Sequence, residues 1–356
     1  MQKVVLATGG TGGHIFPALA VADELKARFP EIDILFIGGK FGPEKKLVSS
    51  KGYKFLGLPI KGVIGRGLKG IGQGILLIGS MVKSIFYLGR FKPDVVLGFG
   101  SYAAFTPVLA AKLLRIKTAI HEQNIFPGVT NRLLGKRVDR VFLSFVDEFH
   151  LFPSEKVIIT GNPVQKKFFK IKPKENFSSR NLLVVGGSQG ATVINKAIVN
   201  CLKELKSAKI NIWHQTGEKD FEWVKKVYDK IYPKAKVEPF IEDMPQAYEF
   251  ADLVLCRAGA STIAELIVVK RPSILVPYPY ATHDHQLKNA RVLEKQGAGM
   301  ILMQPYLGEI NLSAIITDLL DSPHKLRQMA NAYQSFGYNR ASENIVMELE
   351  KLVNEN

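Results

Sequence analysis

The sequence predicts an α/β protein made of two similar halves, because one succession of strand, glycine loop and helix occurs twice. An apolar run at residues 4–7 is followed by glycines within residues 9–13 and by apolar residues at helical spacing over residues 15–29. The succession restarts at Asn181–Val185, about half the chain length later. A chain of 356 residues also exceeds one ordinary core. We therefore expect two Rossmann-like domains, each with a parallel sheet, and a cleft between them.

The composition is that of a globular protein with a strong basic excess. Hydrophobic residues make up 46% of the chain, so both halves can build a core. The formal net charge is +16 at pH 7, and most of the excess lies in the first half. A basic protein surface attracts phosphates, nucleic acid or anionic lipid, and net charge alone does not distinguish among these partners. Only two cysteines occur, which argues against a disulfide scaffold and fits a reducing compartment.

The first glycine loop is predicted to bind an anion, because backbone N–H groups and the positive end of a helix dipole meet there. His14 adds a titratable group at this point, although a solvated histidine at a helix start is an equally open interpretation. The dinucleotide fingerprint is broken by the bulky Ile15. The next strand, at residues 34–37, ends in Gly38 and Gly39 rather than in an acidic residue. A nicotinamide cofactor is therefore not expected.

Residues 75–88 form a strongly apolar segment interrupted by Lys83. A spanning helix needs about 20 uninterrupted apolar residues, so this segment is not expected to cross a bilayer. It reads either as a buried core helix or as a surface that dips into lipid headgroups. The second interpretation rests on the basic residues that flank it, which attract anionic lipid: Lys61, Arg66, Lys69, Lys83, Arg90 and Lys92. The first strand begins almost at Met1, so no signal peptide is expected.

The remaining strands of the first half deliver polar side chains to one sheet edge. A strand near residues 94–97 ends in glycines before a helix at about residues 103–114, and residues 118–120 lead into His121, Glu122, Gln123 and Asn124. Open α/β sheets bind ligands at the carboxyl ends of their strands. Strands at residues 140–144 and 157–160 complete the sheet. We expect a first domain over residues 1–162, a Lys-rich linker at 163–179, a second domain over 180–340, and a C-terminal helix at 341–356 that packs back on the first domain.

The second half carries another candidate phosphate site where a helix opens after Leu253–Cys256. Gly259 and Ala260 leave the backbone bare for a diphosphate. Thr262 and Glu265 have the spacing of a capping box, which would stabilise the start of the helix. Alternatively, the Glu265 carboxylate could accept hydrogen bonds from two ribose hydroxyls. His283, Asp284 and His285 follow on a loop, but adjacent residues without a distant ligand are a poor metal site, so no metal is expected.

Several of these segments together resemble the MurG family of peptidoglycan N-acetylglucosaminyltransferases, in order and over nearly the whole chain. They are Gly9–His14, His121–Asn124, Gly161–Val164, Gly186–Ala191, and Arg257–Glu265 with Asp284–Gln286. The resemblance implies an inverting glycosyltransferase of the GT-B fold. It implies transfer of N-acetylglucosamine from UDP-N-acetylglucosamine to the 4-hydroxyl of the muramoyl sugar of lipid I, an undecaprenyl-diphosphate-linked acceptor. It further implies peripheral binding to an anionic surface at the cytoplasmic face of the membrane, with no cofactor.

The resemblance also assigns residues to substrates. For the donor, it implies that Glu265 holds the ribose, Ser188 and Ala260 the diphosphate, Ile241 and Met244 the uracil, and Gln286 the sugar. It adds donor contacts at Thr11, Gly12, Gly13, Asn124 and Gln165. The acceptor would lie near Tyr102, Glu122 and Asn124. Gln165 stands where many relatives carry arginine, and His285 stands where some relatives carry glutamine.

The implied reaction needs a base for the acceptor hydroxyl, and His14 is the first candidate with Glu122 as its rival. Two other transfer or isomerisation activities remain open: a transferase of the same fold acting on diacylglycerol, and a UDP-sugar epimerase. A nucleic-acid-binding protein is also permitted by the charge. The basic half lacks a recognition helix or an aromatic stacking motif, however, so nucleic acid is not expected as a partner.

Overall fold

The computed structural model describes residues 1–60, 70–337 and 340–355, and residues 70–75 in their backbone only. The chain folds into two compact units. Unit 1 comprises Met1–Gln165 together with Tyr338–Asn356, and unit 2 comprises Lys166–Gly337. Each unit contains one sheet of parallel strands covered by helices, so the predicted α/β class is confirmed.

Unit 1 is built on a seven-stranded parallel sheet in the order β3-β2-β1-β4-β5-β6-β7. Its strands are β1 (Lys3–Ala7), β2 (Asp33–Gly39), β3 (Lys54–Leu58), β4 (Val95–Gly98), β5 (Lys117–Glu122), β6 (Arg140–Leu143) and β7 (Val157–Ile159). Among the described residues, the α-helices between these strands are α1 (Gly12–Arg28), α2 (Glu44–Ser49), α3 (Gly70–Phe91), α4 (Ser101–Leu113) and α5 (Val129–Gly135). Alternate residues of β1 face opposite sides, because side chains alternate along a strand. Val4 and Leu6 join one core cluster, and Val5 and Ala7 join the other.

Unit 2 repeats this plan with six parallel strands in the order β10-β9-β8-β11-β12-β13. The strands are β8 (Asn181–Val185), β9 (Asn211–Gln215), β10 (Lys236–Glu238), β11 (Leu253–Cys256), β12 (Ser273–Leu275) and β13 (Gly299–Ile301). The helices are α6 (Thr192–Asn200), α7 (Leu202–Ser207), α8 (Phe221–Ile231), α9 (Met244–Phe250), α10 (Ala260–Val269), α11 (His285–Lys295), α12 (Leu312–Leu320) and α13 (Pro323–Ala332). In both sheets the first strand of the unit lies beside the fourth, which creates the crevice where such folds bind ligands.

The chain returns to unit 1 through helix α14 (Ala341–Asn354). Its apolar face, which includes Ile345 and Leu349, lies in the same core cluster as Val4 and α1. Arg28 also forms an ion pair with Glu350 at its surface. The segment expected as a linker, residues 163–179, is distributed differently: from Lys166 onward it belongs to unit 2. Phe168 and Phe177 are buried there, because a short helical turn and the chain after it cover the core of unit 2.

The apolar segment at residues 75–88 lies within the longer helix α3, whose residues from 76 onward are buried on one side only. Ser80, Ser84 and Leu88 are buried on the inner side. Ile78, Val82 and Phe86 are 67%, 62% and 63% exposed. Their spacing of four residues places them in one stripe along the helix, so the buried core helix is not what forms. Within the described residues, no helix is both long and apolar enough to span a membrane.

Candidate active site

Both sheets bring their polar loops to the carboxyl edge. In unit 1 the loops after β1, β4 and β5 meet there, because these three strands are neighbours in the sheet. In unit 2 the loops after β8, β9 and β11 do the same. The candidate residues therefore lie at the carboxyl edge of the sheet in each unit.

His14 lies in the first turn of α1 and is tied to a buried network. Its Nδ1 is 3.0 Å from Oε1 of Gln123. Nε2 of Gln123 is 3.1 Å from Nδ1 of His121 and 3.1 Å from the carbonyl oxygen of Phe99. Nε2 of His121 is 3.0 Å from the carbonyl oxygen of Gly161. His14 is therefore an oriented side chain, not a solvated one.

His121 is fully buried on β5. Burial lowers its pKa to about 4, an effect that the hydrogen bond to Gly161 partly offsets and the nearby His14 reinforces. His121 is therefore neutral near pH 7. It supports the network from inside the sheet and is not itself presented to a substrate.

The loop after β4 leaves room for the His14 ring. Gly100 has φ of +85°, and a Cβ there would lie 3.3 Å from Cε1 of His14. The next residue, Ser101, has φ of +61°, a conformation that non-glycine residues adopt at an energetic cost. Tyr102 follows at the start of α4 and is 43% exposed. Tyr102 is thus accessible to solvent two residues after the glycine that faces the histidine.

The Glu122 carboxylate is buried and fully engaged by its own loop. Oε1 accepts hydrogen bonds from the backbone N–H and the side-chain amide of Asn124, at 3.0 and 3.2 Å. Oε2 accepts from the backbone N–H of Gly128 at 3.0 Å and from Nδ2 of Asn131 at 2.8 Å. Four donors occupy the two oxygens, which is the full capacity of a carboxylate. Glu122 therefore shapes the loop that carries Asn124.

The other candidates of unit 1 lie on two separate segments. Thr11 is exposed as the N-cap of α1, and Gly12 and Gly13 form the start of that helix. Asn124 is half-buried. Gln165 is buried at the end of the first stretch of unit 1.

In unit 2 the glycine loop after β8 presents Ser188, which is exposed. Gly190 has φ of +75°, and a Cβ there would lie 2.1 Å from the carbonyl oxygen of Thr216, so only glycine fits. Gln215 braces the loop from below: its Nε2 donates to the carbonyl of Gly187 at 2.9 Å, and its Oε1 accepts from the backbone N–H of Ile241 at 3.0 Å. The glycine loop is thereby fixed to the segment that carries Ile241.

Glu265 is not part of a capping box. Helix α10 begins at Ala260 with Gly259 as its N-cap, so Thr262 already lies inside the helix and cannot cap it. The Glu265 carboxylate instead accepts a hydrogen bond of 3.0 Å from the hydroxyl of Tyr248. Burial raises the pKa of Glu265 to about 7, while the Tyr248 hydrogen bond and the charge of Lys167 act in the opposite direction. Glu265 is therefore a tuned carboxylate at a crevice, a common feature of functional sites.

The remaining candidates of unit 2 are Ile241 and Met244, which precede Glu265 in the chain, and Gln286, which follows it. Ile241 is buried, and Met244, the first residue of α9, is partly exposed. Gln286 lies in the first turn of α11, and its Oε1 accepts from the backbone N–H of Tyr278 at 3.0 Å. Its amide N–H groups remain the part that can reach a sugar hydroxyl.

No cluster of three or more His, Cys, Asp or Glu side chains suited to a metal ion is found among the residues that the structure describes. At the loop that carries His283, Asp284 and His285, Nδ1 of His285 lies 2.9 Å from the carbonyl oxygen of Thr282. That carbonyl only accepts hydrogen bonds, so this nitrogen carries a proton and is not a metal ligand.

Sequence reasoning missed Tyr248 and Gln215 as supporting residues, and it gave Gln123 no role. Tyr248 meets Glu265 across 17 residues, and Gln123 meets His14 across 109. Nothing in a single sequence marks such distant pairs. What these three residues share in the structure is a buried polar side chain close to the end of a strand.

Comparison with known proteins identifies the family of this chain. The model of the glycosyltransferase family 28 N-terminal domain matches residues 4–143, and that of the C-terminal domain matches residues 181–345. The chain belongs to glycosyltransferase family 28. The two family 28 domains correspond to the first and second parallel sheets, respectively.

Family 28 relatives with assigned names cover the chain almost completely. A protein from Nitratidesulfovibrio vulgaris strain DP4 is 46% identical over 99% of this chain and 98% of its own length. One from Lawsonia intracellularis is 45% identical, with the same two coverages. Both carry the name UDP-N-acetylglucosamine–N-acetylmuramyl-(pentapeptide) pyrophosphoryl-undecaprenol N-acetylglucosamine transferase.

Solved structures agree with this relationship. The crystal structure of Acinetobacter baumannii MurG is 31% identical, with a TM-score of 0.74 over 99% of this chain and all of that chain. The UDP-GlcNAc 2-epimerase of Neisseria meningitidis, at 17% identity and a TM-score of 0.66, shares the fold alone. The expected GT-B glycosyltransferase fold is therefore confirmed.

Proposed function

We propose that this protein transfers N-acetylglucosamine from UDP-N-acetylglucosamine to the 4-hydroxyl of the muramoyl sugar of an undecaprenyl-diphosphate-linked acceptor, lipid I. The observation that carries the proposal is the full-length likeness, at 46% identity, to relatives named for this reaction. In the reaction the acceptor oxygen bonds to the anomeric carbon. The bond from that carbon to the diphosphate breaks, and its electron pair leaves with UDP. The hydroxyl proton passes to a base of the enzyme.

We assign the base to His14 and not to Glu122. The carboxylate of Glu122 already accepts four hydrogen bonds, from the loop after β5 and from Asn131 of α5. His14 is held only through Nδ1 among the described residues, so its Nε2 can meet a hydroxyl. The acceptor would approach along the unit 1 loops that carry Thr11, Tyr102 and Asn124.

Unit 2 is the proposed donor site. Glu265 accepts the ribose hydroxyls, Ser188 and the backbone at Ala260 hold the diphosphate, and Ile241 with Met244 receives the uracil. Gln286 then contacts the sugar. Supporting this arrangement, Ser188 and Ala260 follow neighbouring strands, β8 and β11, at the point where the strand order reverses. Thr11, Gly12, Gly13, Asn124 and Gln165 remain proposed as further donor contacts.

We expect activity without an added divalent ion, because the N-terminus of α10 can stabilise the leaving diphosphate. Turnover measured in excess chelator should stay within about twofold of the untreated enzyme on this argument. Loss of activity that magnesium restores would show that the helix end is insufficient.

We further propose that the exposed stripe of α3 is the membrane-binding surface and that the enzyme acts as a peripheral protein at the cytoplasmic face of the membrane. Ile78, Val82 and Phe86 form the apolar stripe, and Arg90 and Lys92 are exposed at its end. Apolar side chains that enter the headgroup region beside basic ones favour anionic bilayers. Lys83 contributes less, since its Nζ donates to the carbonyl of Gly57 at 2.8 Å. The flanking Lys61, Arg66 and Lys69 lie outside the described residues.

Replacing Ile78 and Phe86 together with serine should weaken binding to vesicles of anionic phospholipid at least tenfold, since about 1.4 kcal/mol of lost apolar burial has that effect. Co-sedimentation with vesicles measures this. Met347→Ser is the matched control: Met347 is 39% exposed on α14, which packs on the opposite face of the unit 1 sheet. Equal vesicle binding by the double variant and the wild type would exclude the stripe.

The proposed reaction is tested by identifying the product formed from radiolabelled UDP-N-acetylglucosamine and a lipid I analogue. Diacylglycerol, offered in competition, tests the other acceptor class. An incubation with the nucleotide sugar alone tests for epimerisation. A disaccharide-linked product in the first reaction only is the expected result, and a glycosylated diacylglycerol would overturn the acceptor assignment.

A further inference from the structure

The hydrogen-bond network behind His14 contains one atom whose protonation is fixed by its partner. The carbonyl oxygen of Gly161 can only accept, so Nε2 of His121, at 3.0 Å, must carry its proton. His121 is buried and neutral. A neutral imidazole has one N–H, so Nδ1 of His121 presents a lone pair.

This lone pair fixes the orientation of the Gln123 amide. The Gln123 group that faces Nδ1 of His121 also faces the carbonyl oxygens of Phe99, at 3.1 Å, and of His121 itself, at 3.3 Å. Three acceptors surround it, so this group must be the NH2. The amide cannot be reversed, because its oxygen would then lie against two carbonyl oxygens and a lone pair.

The fixed amide in turn determines the state of His14. With the NH2 directed inward, the Gln123 oxygen faces Nδ1 of His14 at 3.0 Å. An amide oxygen only accepts, so Nδ1 of His14 carries the proton and Nε2 of the neutral ring is left with the lone pair.

We propose that Gln123, backed by His121 and the Gly161 carbonyl, is a positioning residue that holds His14 in its Nδ1–H tautomer and so makes Nε2 the proton acceptor. The catalytic part of this statement rests on the proposed function, in which His14 is the base. The tautomer itself does not depend on it. A histidine base is commonly oriented in this way by a partner at its second nitrogen. Here that partner is a neutral amide, which enforces the tautomer without adding a charge.

The test is the ¹⁵N NMR signature of the His14 ring in the ligand-free protein at neutral pH. The chain has 7 histidines, and His14→Gln identifies the His14 signal by its loss. The expected result is the Nδ1–H tautomer in the wild type. Gln123→Met, which keeps the length of the side chain and removes the amide, should shift His14 toward the Nε2–H tautomer. An Nε2–H signal in the wild type overturns the proposal, even if the variant does not fold.

Kinetics provide the second measurement. Gln123→Met should lower kcat at least tenfold and change KM for UDP-N-acetylglucosamine much less, because part of the effect of a general base is lost while Glu265, the proposed ribose ligand in unit 2, is untouched. Asn195→Leu is the matched control. It removes another buried amide, one whose Oδ1 lies 3.0 Å from Nε2 of His214 in unit 2, and it should destabilise the protein without moving the His14 signal.

The outcomes separate the two proposals. An Nδ1–H tautomer with no transfer to lipid I would leave the tautomer assignment intact and remove the proposed function. Transfer to lipid I by the wild type, together with an unchanged His14 tautomer in Gln123→Met, would support the proposed function and exclude the positioning role of Gln123.

Discussion

Replacing His14 with alanine is expected to reduce kcat about a hundredfold or more, because general-base catalysis contributes about 10²–10⁴ to a rate. KM for UDP-N-acetylglucosamine should change little, since the carboxylate proposed to hold the ribose lies in unit 2. Steady-state kinetics with a lipid I analogue measures both constants. The loss should therefore appear in the chemical step and not in donor affinity.

Chemical rescue provides the control for His14→Ala. Exogenous imidazole can occupy the space that the ring leaves and should restore part of the lost rate. Glycine at position 100 keeps this space open, as its missing Cβ would lie 3.3 Å from Cε1 of His14. A variant that retains a third or more of the wild-type kcat would exclude His14 as the base.

Replacing Glu265 with glutamine is expected to raise KM for UDP-N-acetylglucosamine about a hundredfold. Each hydrogen bond from a ribose hydroxyl to a charged acceptor contributes about 1.5–3 kcal/mol, and the amide offers only one accepting oxygen. Donor titration by calorimetry gives the same quantity as a dissociation constant. Wild-type donor affinity in Glu265→Gln would contradict the ribose assignment.

The pH dependence of donor binding follows from the raised pKa of Glu265, about 7. Below that pH the carboxyl is protonated and is a poor acceptor for two hydroxyls. Donor affinity should therefore rise about tenfold per pH unit up to about pH 7 and level off above it. Glu265→Gln should abolish this dependence. Tyr248→Phe removes a hydrogen bond that lowers the pKa of Glu265, so its affinity curve should shift to higher pH.

The two parallel sheets were predictable because many of their strands are continuous apolar runs with glycines at or near their ends, such as Val95–Gly98. Strand β13, Gly299–Ile301, was not predicted, since three residues beginning with glycine carry no apolar pattern. Helix α1 begins at Gly12, three residues before the expected start. The difference arises because glycine has a low helix propensity, so the sequence does not mark Gly12 and Gly13 as helical.

The candidate site was predictable as a set of motifs but not as a set of contacts. Thr262 and Glu265 fit a capping box by spacing, and only the position of Gly259 at the N-cap shows that the box is not formed. The two rival bases, His14 and Glu122, could not be separated from the sequence. Their hydrogen-bond partners support our proposal of His14, because the Glu122 carboxylate already accepts four hydrogen bonds, whereas His14 is bonded only through Nδ1 among the described residues.

The return of helix α14 to unit 1 has a consequence for synthesis on the ribosome. Unit 2 is complete once residue 337 has emerged, whereas unit 1 still lacks Ile345, Val346, Leu349 and Leu352, which are fully buried in its core. The amino-terminal unit is therefore the last to become whole. A nascent chain halted before α14 would expose the apolar surface of α1 to chaperones, so the emergence of α14 is the step that completes the core of unit 1.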